Sequence, residues 1–200
     1  MKISVALLSV VAVGGVLLGG CLSRPPTLNV RHFVLAPMAT NEPTSTATKN
    51  LSVGIAFVKM PTYLLRKSIA IRNGANEIEY IEDALWAERL DQSFQRTLAA
   101  NLSCLLPSAN IHLTDWPRDQ EVIRIFVDIQ QFEVDSNGNG TLNAHWRINA
   151  RQSKAGQVRL TRTSASPRGH PEVIPTTLSD LAAEFSRELA QSIRESVNSQ

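Results

Sequence analysis

The sequence of 200 residues contains few of the side chains that bind metals or react with substrates. It has two cysteines, Cys21 and Cys104, which are too few for a framework of disulfide bonds. Its four histidines lie far apart without the spacing of metal ligands, at His32, His112, His145 and His170. It also lacks a glycine-rich phosphate loop and a Gly-x-Ser-x-Gly nucleophile motif. These absences predict a protein that is not an enzyme, with no catalytic residues, metal site or cofactor.

The sequence also lacks a marked excess of charge of one sign. Lys and Arg number 20 against 18 Asp and Glu, and the basic residues are scattered without interleaved aromatic side chains. Nucleic-acid binding is therefore not expected. After the N-terminal segment, no apolar run reaches the roughly 20 residues that a membrane-spanning helix needs. We expect the rest of the chain to form one domain outside the membrane, with a hydrophobic core of its own.

The N-terminal segment has the pattern of a targeting signal. Lys2 precedes an apolar run over residues 5–18, and two glycines then lead into Cys21. A positive start, a short apolar middle and a small-residue cleavage site are typical of a secretory signal. The ending resembles the bacterial lipobox, so we expect a signal peptide at 1–20, a lipidated Cys21 and a tether over 21–29. An ordinary secretory signal or an uncleaved anchor is the alternative.

The residues around the predicted anchor also indicate a location. Leu22 follows the cysteine, and by resemblance to other lipoproteins the absence of Asp there favours sorting to the outer membrane. Several acyl chains on one residue would hold the protein firmly, since each buried methylene contributes about 0.8 kcal/mol. We therefore expect a lipid-anchored protein on the periplasmic face of the outer membrane.

Alternating and helical apolar patterns predict the fold of the domain over 30–197. Strand patterns occur at 30–35, 51–58, 68–72, 77–81, 121–134, 141–151 and 157–164. Leucines and phenylalanines at steps of three and four residues predict amphipathic helices over 86–105 and 177–197. The Asp-Ser-Asn-Gly-Asn-Gly stretch at 135–140 predicts the turn of a long hairpin. The expected fold is α+β, with a mainly antiparallel sheet and two helices packed on one face.

Two stretches place large apolar groups on connections between predicted elements. Tyr63 and Leu64 lie beside Arg66 after the second strand, and Trp86 opens the first predicted helix. Such groups either complete the core or present a contact surface to a partner. We take Tyr63, Leu64, Arg66 and Trp86 as candidate partner contacts, and core packing remains the alternative.

The order of several short motifs resembles one known family. The motifs are Phe33-Val34-Leu35, Val53-Gly54-Ile55-Ala56, Pro61-x-Tyr63-Leu64-x-Arg66, an Asn73 turn, Trp86-Ala87-Glu88-x-Leu90 and Ala144-His145-Trp146. Together with the lipobox, they resemble the PqiC family, the auxiliary lipoproteins of ABC-type, MCE-containing transport systems. The resemblance extends from residue 30 to the last helix.

The resemblance implies a role in moving lipids between the inner and outer membranes and in supporting envelope integrity. An inner-membrane MCE protein forms the conduit in such systems, and the lipoprotein would dock its far end at the outer membrane. Because the conduit is a ring, a homo-oligomer is a further expectation. The main alternative is a lipoprotein that supports the assembly of an outer-membrane β-barrel. A carrier that shields a lipid in its own apolar cavity, or an envelope enzyme, would be other possibilities.

Overall fold

The structure is a computed structural model that describes residues 29–39, 51–113, 116 and 121–198. The predicted signal peptide, Cys21 and all but the end of the tether lie outside these residues. The described part is one sheet covered on one face by two helices. It confirms the expected single α+β domain.

Eight strands form the sheet. They are β1 (Arg31–Phe33), β2 (Leu51–Lys59), β3 (Ser68–Arg72), β4 (Ile78–Trp86), β5 (Ala109–His112), β6 (Val122–Asp135), β7 (Asn139–Asn149) and β8 (Lys154–Thr163). The long β6 has β7 on one side, followed by β8. Its other side pairs with β2 over its first half and with β3 at its end. Strand β6 is therefore the centre on which the other strands assemble.

The sheet is mixed. The three antiparallel pairs include the long ladders that join β6, β7 and β8, and the hairpin of β3 and β4. The pairs β1–β4, β2–β5, β2–β6 and β3–β6 are parallel, which the sequence did not predict. Parallel neighbours need a long crossover connection, so no tight turn in the sequence marks them.

The predicted hairpin of β6 and β7 is confirmed, and it contains one irregularity. Ile123, Ile125, Val127 and Ile129 form the predicted apolar face and are all buried. Between Ile129 and Gln131 the register shifts by a β-bulge. An extra residue in one strand reverses which side chains face the core. After the bulge, Phe132 and Val134 point inward and Glu133 points to the opposite face.

Helix α1 (Leu90–Leu105) buries the predicted stripe of Leu90, Phe94, Leu98 and Leu102. It begins four residues later than the sequence predicted, because β4 continues to Trp86. The Trp86 N–H donates to the carbonyl of Lys67 at 2.7 Å, which keeps it in an extended conformation. Since Trp86 lies four residues before Leu90, helical spacing alone could not separate the strand end from the helix.

Helix α2 (Val173–Asn198) buries Leu178, Leu181, Phe185, Leu189 and Ile193, as its periodicity predicted. It starts four residues before the expected residue 177. The Phe94 ring of α1 lies 5.1 Å from Phe132 and 6.0 Å from Phe185 between ring centroids. Both helices therefore pack on the same face of the sheet. We call the opposite face, away from the helices, the open face.

The segment that follows β1 ties the N-terminal end of the domain to both helices. The Met38 N–H donates to Asn101 Oδ1 at 2.8 Å, and the Ala36 N–H donates to Ser179 Oγ at 3.0 Å. Asn101 also donates to Ser186 Oγ at 3.0 Å, so the two helices share the network. Because Asn101 and Ser186 are fully buried, these bonds satisfy polar groups that would otherwise be costly. The segment after β1 is therefore held against both helices by hydrogen bonds.

Candidate functional site

The loop after β2 carries three of the four candidate contact residues. Lys59 ends the strand, and Pro61, which has no N–H to donate, starts a short 3₁₀ turn over Thr62–Leu65. The Leu64 N–H donates to the carbonyl of Pro61 at 3.1 Å and closes this turn. The Leu64 side chain is 3% exposed and lies in the core, whereas Tyr63 is half-buried. The turn therefore separates two neighbouring side chains into different surroundings.

The hydroxyl of Tyr63 binds a buried carboxylate on the open face. Glu133 has a side chain only 1% exposed, because the β-bulge turns it away from the helices and the loop covers it. Its Oε2 accepts from Tyr63 Oη at 2.6 Å, and its Oε1 accepts from Gln131 Nε2 at 3.1 Å. Arg72 forms an ion pair with Oε1 through Nε. A buried charge persists only when it is paired and hydrogen-bonded in this way.

The protonation states in this network are strongly biased. Burial, and then the hydrogen bond and charge of Glu133, raise the pKa of Tyr63 well above 10.0. Partial burial acts to lower the pKa of Arg72, but the hydrogen bond and charge of Glu133 outweigh it and raise the pKa. Tyr63 therefore stays a neutral donor and Arg72 a cation at physiological pH. The network is a fixed support rather than an acid–base pair.

Arg66 lies on the exposed side of the same loop. Its guanidinium carbon is 4.7 Å from the centroid of the Tyr80 ring, within the range of a cation–π contact. The Tyr80 hydroxyl donates to the backbone carbonyl of Tyr63 at 3.2 Å, so the ring beneath Arg66 also holds the loop. The Arg66 guanidinium is therefore exposed to solvent, and the Tyr80 ring that it contacts is itself held by a hydrogen bond to the loop.

Trp86 ends β4 rather than opening a helix, and it is 3% exposed. Its neighbour in the sheet is Phe33 of β1. Of the four candidates, Tyr63 and Arg66 therefore reach the surface together, while Leu64 and Trp86 lie in the core. The first two are therefore accessible from solvent, whereas the other two are packed in the core.

Sequence reasoning missed Glu133, Arg72 and Tyr80. Glu133 stands between Phe132 and Val134, and a charged residue inside an apolar strand was the available signal. Its partner groups are 61 and 70 positions away in the chain, at Arg72 and Tyr63. Nothing in local sequence indicates a bulge that would turn this carboxylate toward them.

The rest of the described chain offers few groups that could bind a metal ion or enclose a ligand. Among the residues that the structure describes, no group of three or more His, Cys, Asp or Glu could hold a metal ion. An open groove of about 580 Å³ lies between the segment after β1 and helix α2. Its lining includes Glu172, Asp180, Glu184 and Arg187. Apolar side chains such as Phe33, Val34 and Met38 line it as well, and its openness to solvent distinguishes it from the enclosed apolar cavity that a lipid carrier needs. Within the same described residues, no helix is long and apolar enough to cross a membrane.

Comparison with protein families gives a match over most of the domain. The model of the family described as ABC-type transport auxiliary lipoprotein component matches residues 33–190. The match begins at the last residue of β1 and ends within α2. It therefore includes the loop at Tyr63, the strand that carries Glu133 and the open face.

Two curated relatives are named intermembrane transport lipoprotein PqiC. The protein of Escherichia coli K12 is 23% identical over 141 residues, which cover 70% of this chain and 72% of that protein. The protein of Shigella flexneri has the same identity and coverage.

Two crystal structures have the same fold. One, of an uncharacterized protein, has a TM-score of 0.70 at 22% identity and covers 82% of this chain and 99% of that chain. The other, of a protein from Xanthomonas campestris, has a TM-score of 0.64 at 13% identity and covers 84% of this chain and 96% of that chain. At these identities the likeness concerns the fold alone.

Proposed function

The chain belongs to the family of ABC-type transport auxiliary lipoproteins, and from this premise we propose a more specific role. We infer that it is the outer-membrane subunit of an MCE-containing system that moves lipids between the two membranes. It would dock the periplasmic conduit at the outer membrane and so support envelope integrity. The family is a transport component and not a known enzyme family, which agrees with the lack of catalytic motifs.

The proposed anchor is lipid on Cys21. The similarity to proteins named intermembrane transport lipoproteins supports it, as does the lipobox. The described chain starts at Asn29, eight positions after Cys21, and this stretch spans at most about 28 Å when extended. An anchored domain would therefore stay close to the membrane surface. Leu22 after the cysteine favours the outer membrane.

The proposed contact surface for the inner-membrane MCE protein is centred on Arg66. The single observation that carries it is an exposed guanidinium held over Tyr80, on a loop that Tyr63 fastens to a buried carboxylate. Rigid elements lose little conformational entropy on binding, so a fixed cation is well suited to recognition. Leu64 and Trp86 would support this surface from the core. A homo-oligomer that matches a ring-shaped conduit is part of the same proposal.

The experiment is affinity purification of the tagged full-length protein from detergent-solubilised membranes, with companions identified by mass spectrometry. We expect an MCE-domain protein in the eluate, and we expect Arg66→Glu to reduce its amount. Arg168→Glu is the matched control, because it makes the same charge change at an exposed arginine in the loop before α2. Both variants should show the thermal stability of the parent protein.

Other outcomes would contradict specific parts of the proposal. A β-barrel in the eluate instead of an MCE protein would favour the assembly role. If Arg66→Glu and Arg168→Glu reduce the captured MCE protein equally, Arg66 is not a specific part of the contact surface. The proposed docking role itself would still stand. A monomeric mass in detergent across a range of concentrations would contradict the homo-oligomer.

A further inference from the structure

The open face carries a row of side chains that the loop at Arg66 does not use. Phe57 of β2 is in register with Phe126 of β6, and Phe126 is in register with Arg147 of β7. Side chains at paired positions point to the same face of a sheet. The three groups therefore form a continuous row across three strands, on the side away from the helices.

The aromatic part of this row is exposed. Phe57 is 48% exposed, and its ring packs edge-on against Phe126 with 5.3 Å between centroids. Few large apolar side chains among the described residues are as exposed, and the others are Val30, Val34 and Leu113. An exposed phenylalanine pair on a sheet face that neither helix covers indicates a contact made with something outside the described chain.

Two arginines extend over the aromatic rings. The guanidinium carbon of Arg147 lies 4.7 Å from the centroid of Phe126, and that of Arg124 lies 5.7 Å from the Trp116 ring. Trp116 covers Gly54, where a Cβ atom would come within 2.8 Å of the indole. Glycine at this position thus allows the indole to approach the backbone of β2 closely. Both guanidinium groups are exposed and backed by an apolar ring.

The charge of this surface is positive. Within the described part of the chain, neither Arg124 nor Arg147 forms an ion pair with a carboxylate. The next row contains Lys59, which pairs with Asp128 at 3.6 Å while its side chain remains 71% exposed. Three cations therefore face one carboxylate. We call Phe57, Phe126, Arg124, Arg147 and Trp116 the aromatic–arginine face.

We propose that the aromatic–arginine face binds the headgroups of anionic phospholipids at the membrane surface. Arginine forks bind phosphate through two N–H donors, and the exposed rings can enter the boundary between headgroups and acyl chains. The row lies across three strands of the sheet and combines exposed rings with cations, which suits the anionic surface of a bilayer. Anchoring through Cys21 would keep the face near such a surface, so this inference rests on the proposed anchor.

The experiment places lipidated full-length protein on two kinds of vesicle, phosphatidylcholine alone or with one third phosphatidylglycerol. Hydroxyl-radical oxidation of Phe57, followed by mass spectrometry, reports whether the face is covered. We expect less oxidation of Phe57 on the anionic vesicles, and we expect 0.5 M salt to reverse the protection because exposed charges are screened within about 4 Å at that salt. Oxidation of Phe33, which is half-buried in β1, is the internal reference.

Two double variants distinguish the effect of the aromatic–arginine face on vesicle binding from the effect of net charge. Arg124→Gln with Arg147→Gln should restore the oxidation of Phe57, since each basic residue near an anionic surface contributes about fivefold to binding. The two together correspond to a shift of about 30-fold. Arg168→Gln with Arg187→Gln removes the same charge elsewhere, from the loop before α2 and from α2, and should keep Phe57 protected.

The outcomes distinguish this inference from the proposed anchor. Protein that floats with neutral vesicles but shows equal Phe57 oxidation on both kinds would overturn the inference and keep the anchor. Protein that floats only with anionic vesicles, with Phe57 protected, would support the face and contradict the anchor. Protection of Phe57 by a soluble MCE domain and not by lipid would assign the face to an acidic protein surface instead. Protein that floats with neither would overturn both.

Discussion

On the open face, the charged side chain at one end of strand β6 is buried and paired within the domain, whereas those at the other end are exposed. At the carboxyl end, Glu133 is buried and its two carboxylate oxygens accept from Tyr63, Arg72 and Gln131. At the amino end, the exposed side chains of Arg124 and Arg147 lie over aromatic rings without a carboxylate partner among the described residues. At the carboxyl end, side chains of the domain itself supply the hydrogen-bond partners of the carboxylate. At the amino end, the arginine and aromatic side chains remain accessible to a ligand.

This difference shows which polar groups stabilise the fold and which remain free to bind. A buried charge that lost its partners would cost several kcal/mol, so the end at Glu133 must be completed within the domain. Exposed cations over aromatic rings carry little desolvation cost, and their cation–π contacts become stronger when a ligand excludes water. The loop at Arg66 combines a buried pair with an exposed cation, because the bond of Tyr63 to the buried Glu133 holds the loop while the Arg66 side chain faces solvent.

The largest effect should come from removing the buried carboxylate. Glu133→Ala leaves Arg72 and the Tyr63 hydroxyl without their shared partner, and we expect the free energy of unfolding to fall by about 3 kcal/mol. Phe57→Ser, at the exposed end of the same face, should change it by less than about 0.5 kcal/mol. Urea unfolding of both variants measures the contrast. Equal losses would mean that the two ends do not differ in the way described.

The phenol of Tyr63 should have the next largest effect, and it should depend on pH. Its pKa is raised in the folded protein, so stability is fully present below about pH 10 and declines as the pH rises through the folded value. Tyr63→Phe should lower the free energy of unfolding by about 1.5 kcal/mol at pH 7 and flatten the decline above pH 10. Unfolding curves from pH 7 to 11 test this. An unchanged alkaline slope would argue against the bond to Glu133.

Arg66 should show the opposite pattern, a change in binding without a change in stability. Because its side chain is exposed and its contact is with one ring, Arg66→Ala should alter unfolding by less than about 1 kcal/mol. Tyr80→Phe keeps the ring but removes the hydroxyl that holds the loop, so it should cost about 1 kcal/mol and displace Arg66. Capture of the MCE protein by each variant completes the test.

The smallest effect concerns Asp135, the last residue of β6. Partial burial acts to raise its pKa, but hydrogen bonds from the Asn139 side chain and from turn backbone N–H groups outweigh it and lower the pKa. The stability that it contributes is therefore present above about pH 4 and lost as the pH falls further. Asp135→Asn should reduce the acid sensitivity of unfolding between pH 4 and 2. An identical acid profile would mean that the turn contributes no linked stability.

Much of the fold could be predicted because its signals are local. The stripe of Leu90, Phe94, Leu98 and Leu102 repeats about once every helical turn, and the core side of β6 alternates residue by residue. The turn at 135–140 contains Gly138 with a φ of 94°, a conformation that glycine adopts readily. Each of these features depends on neighbours a few positions away.

The candidate site was predicted only in part, since its support is not local. The motif identified Tyr63 and Arg66, but not which of its side chains would enter the core. Leu64 and Trp86 are buried because β4 extends past its hairpin pattern and the 3₁₀ turn points one leucine inward. The aromatic–arginine face was also missed, because Phe57 and Arg147 come from strands far apart in sequence.

The sequence by itself determined the periodic elements, the turn of the hairpin and the N-terminal targeting pattern. These features are encoded by the size, polarity and backbone preference of adjacent residues. The tertiary structure decided which strands run parallel, where the bulge turns Glu133 outward and which arginines are left without a carboxylate. The parallel pairs join residues more than 50 positions apart in the chain, and Arg72 meets Glu133 across 61 positions. Only the folded sheet brings such groups together.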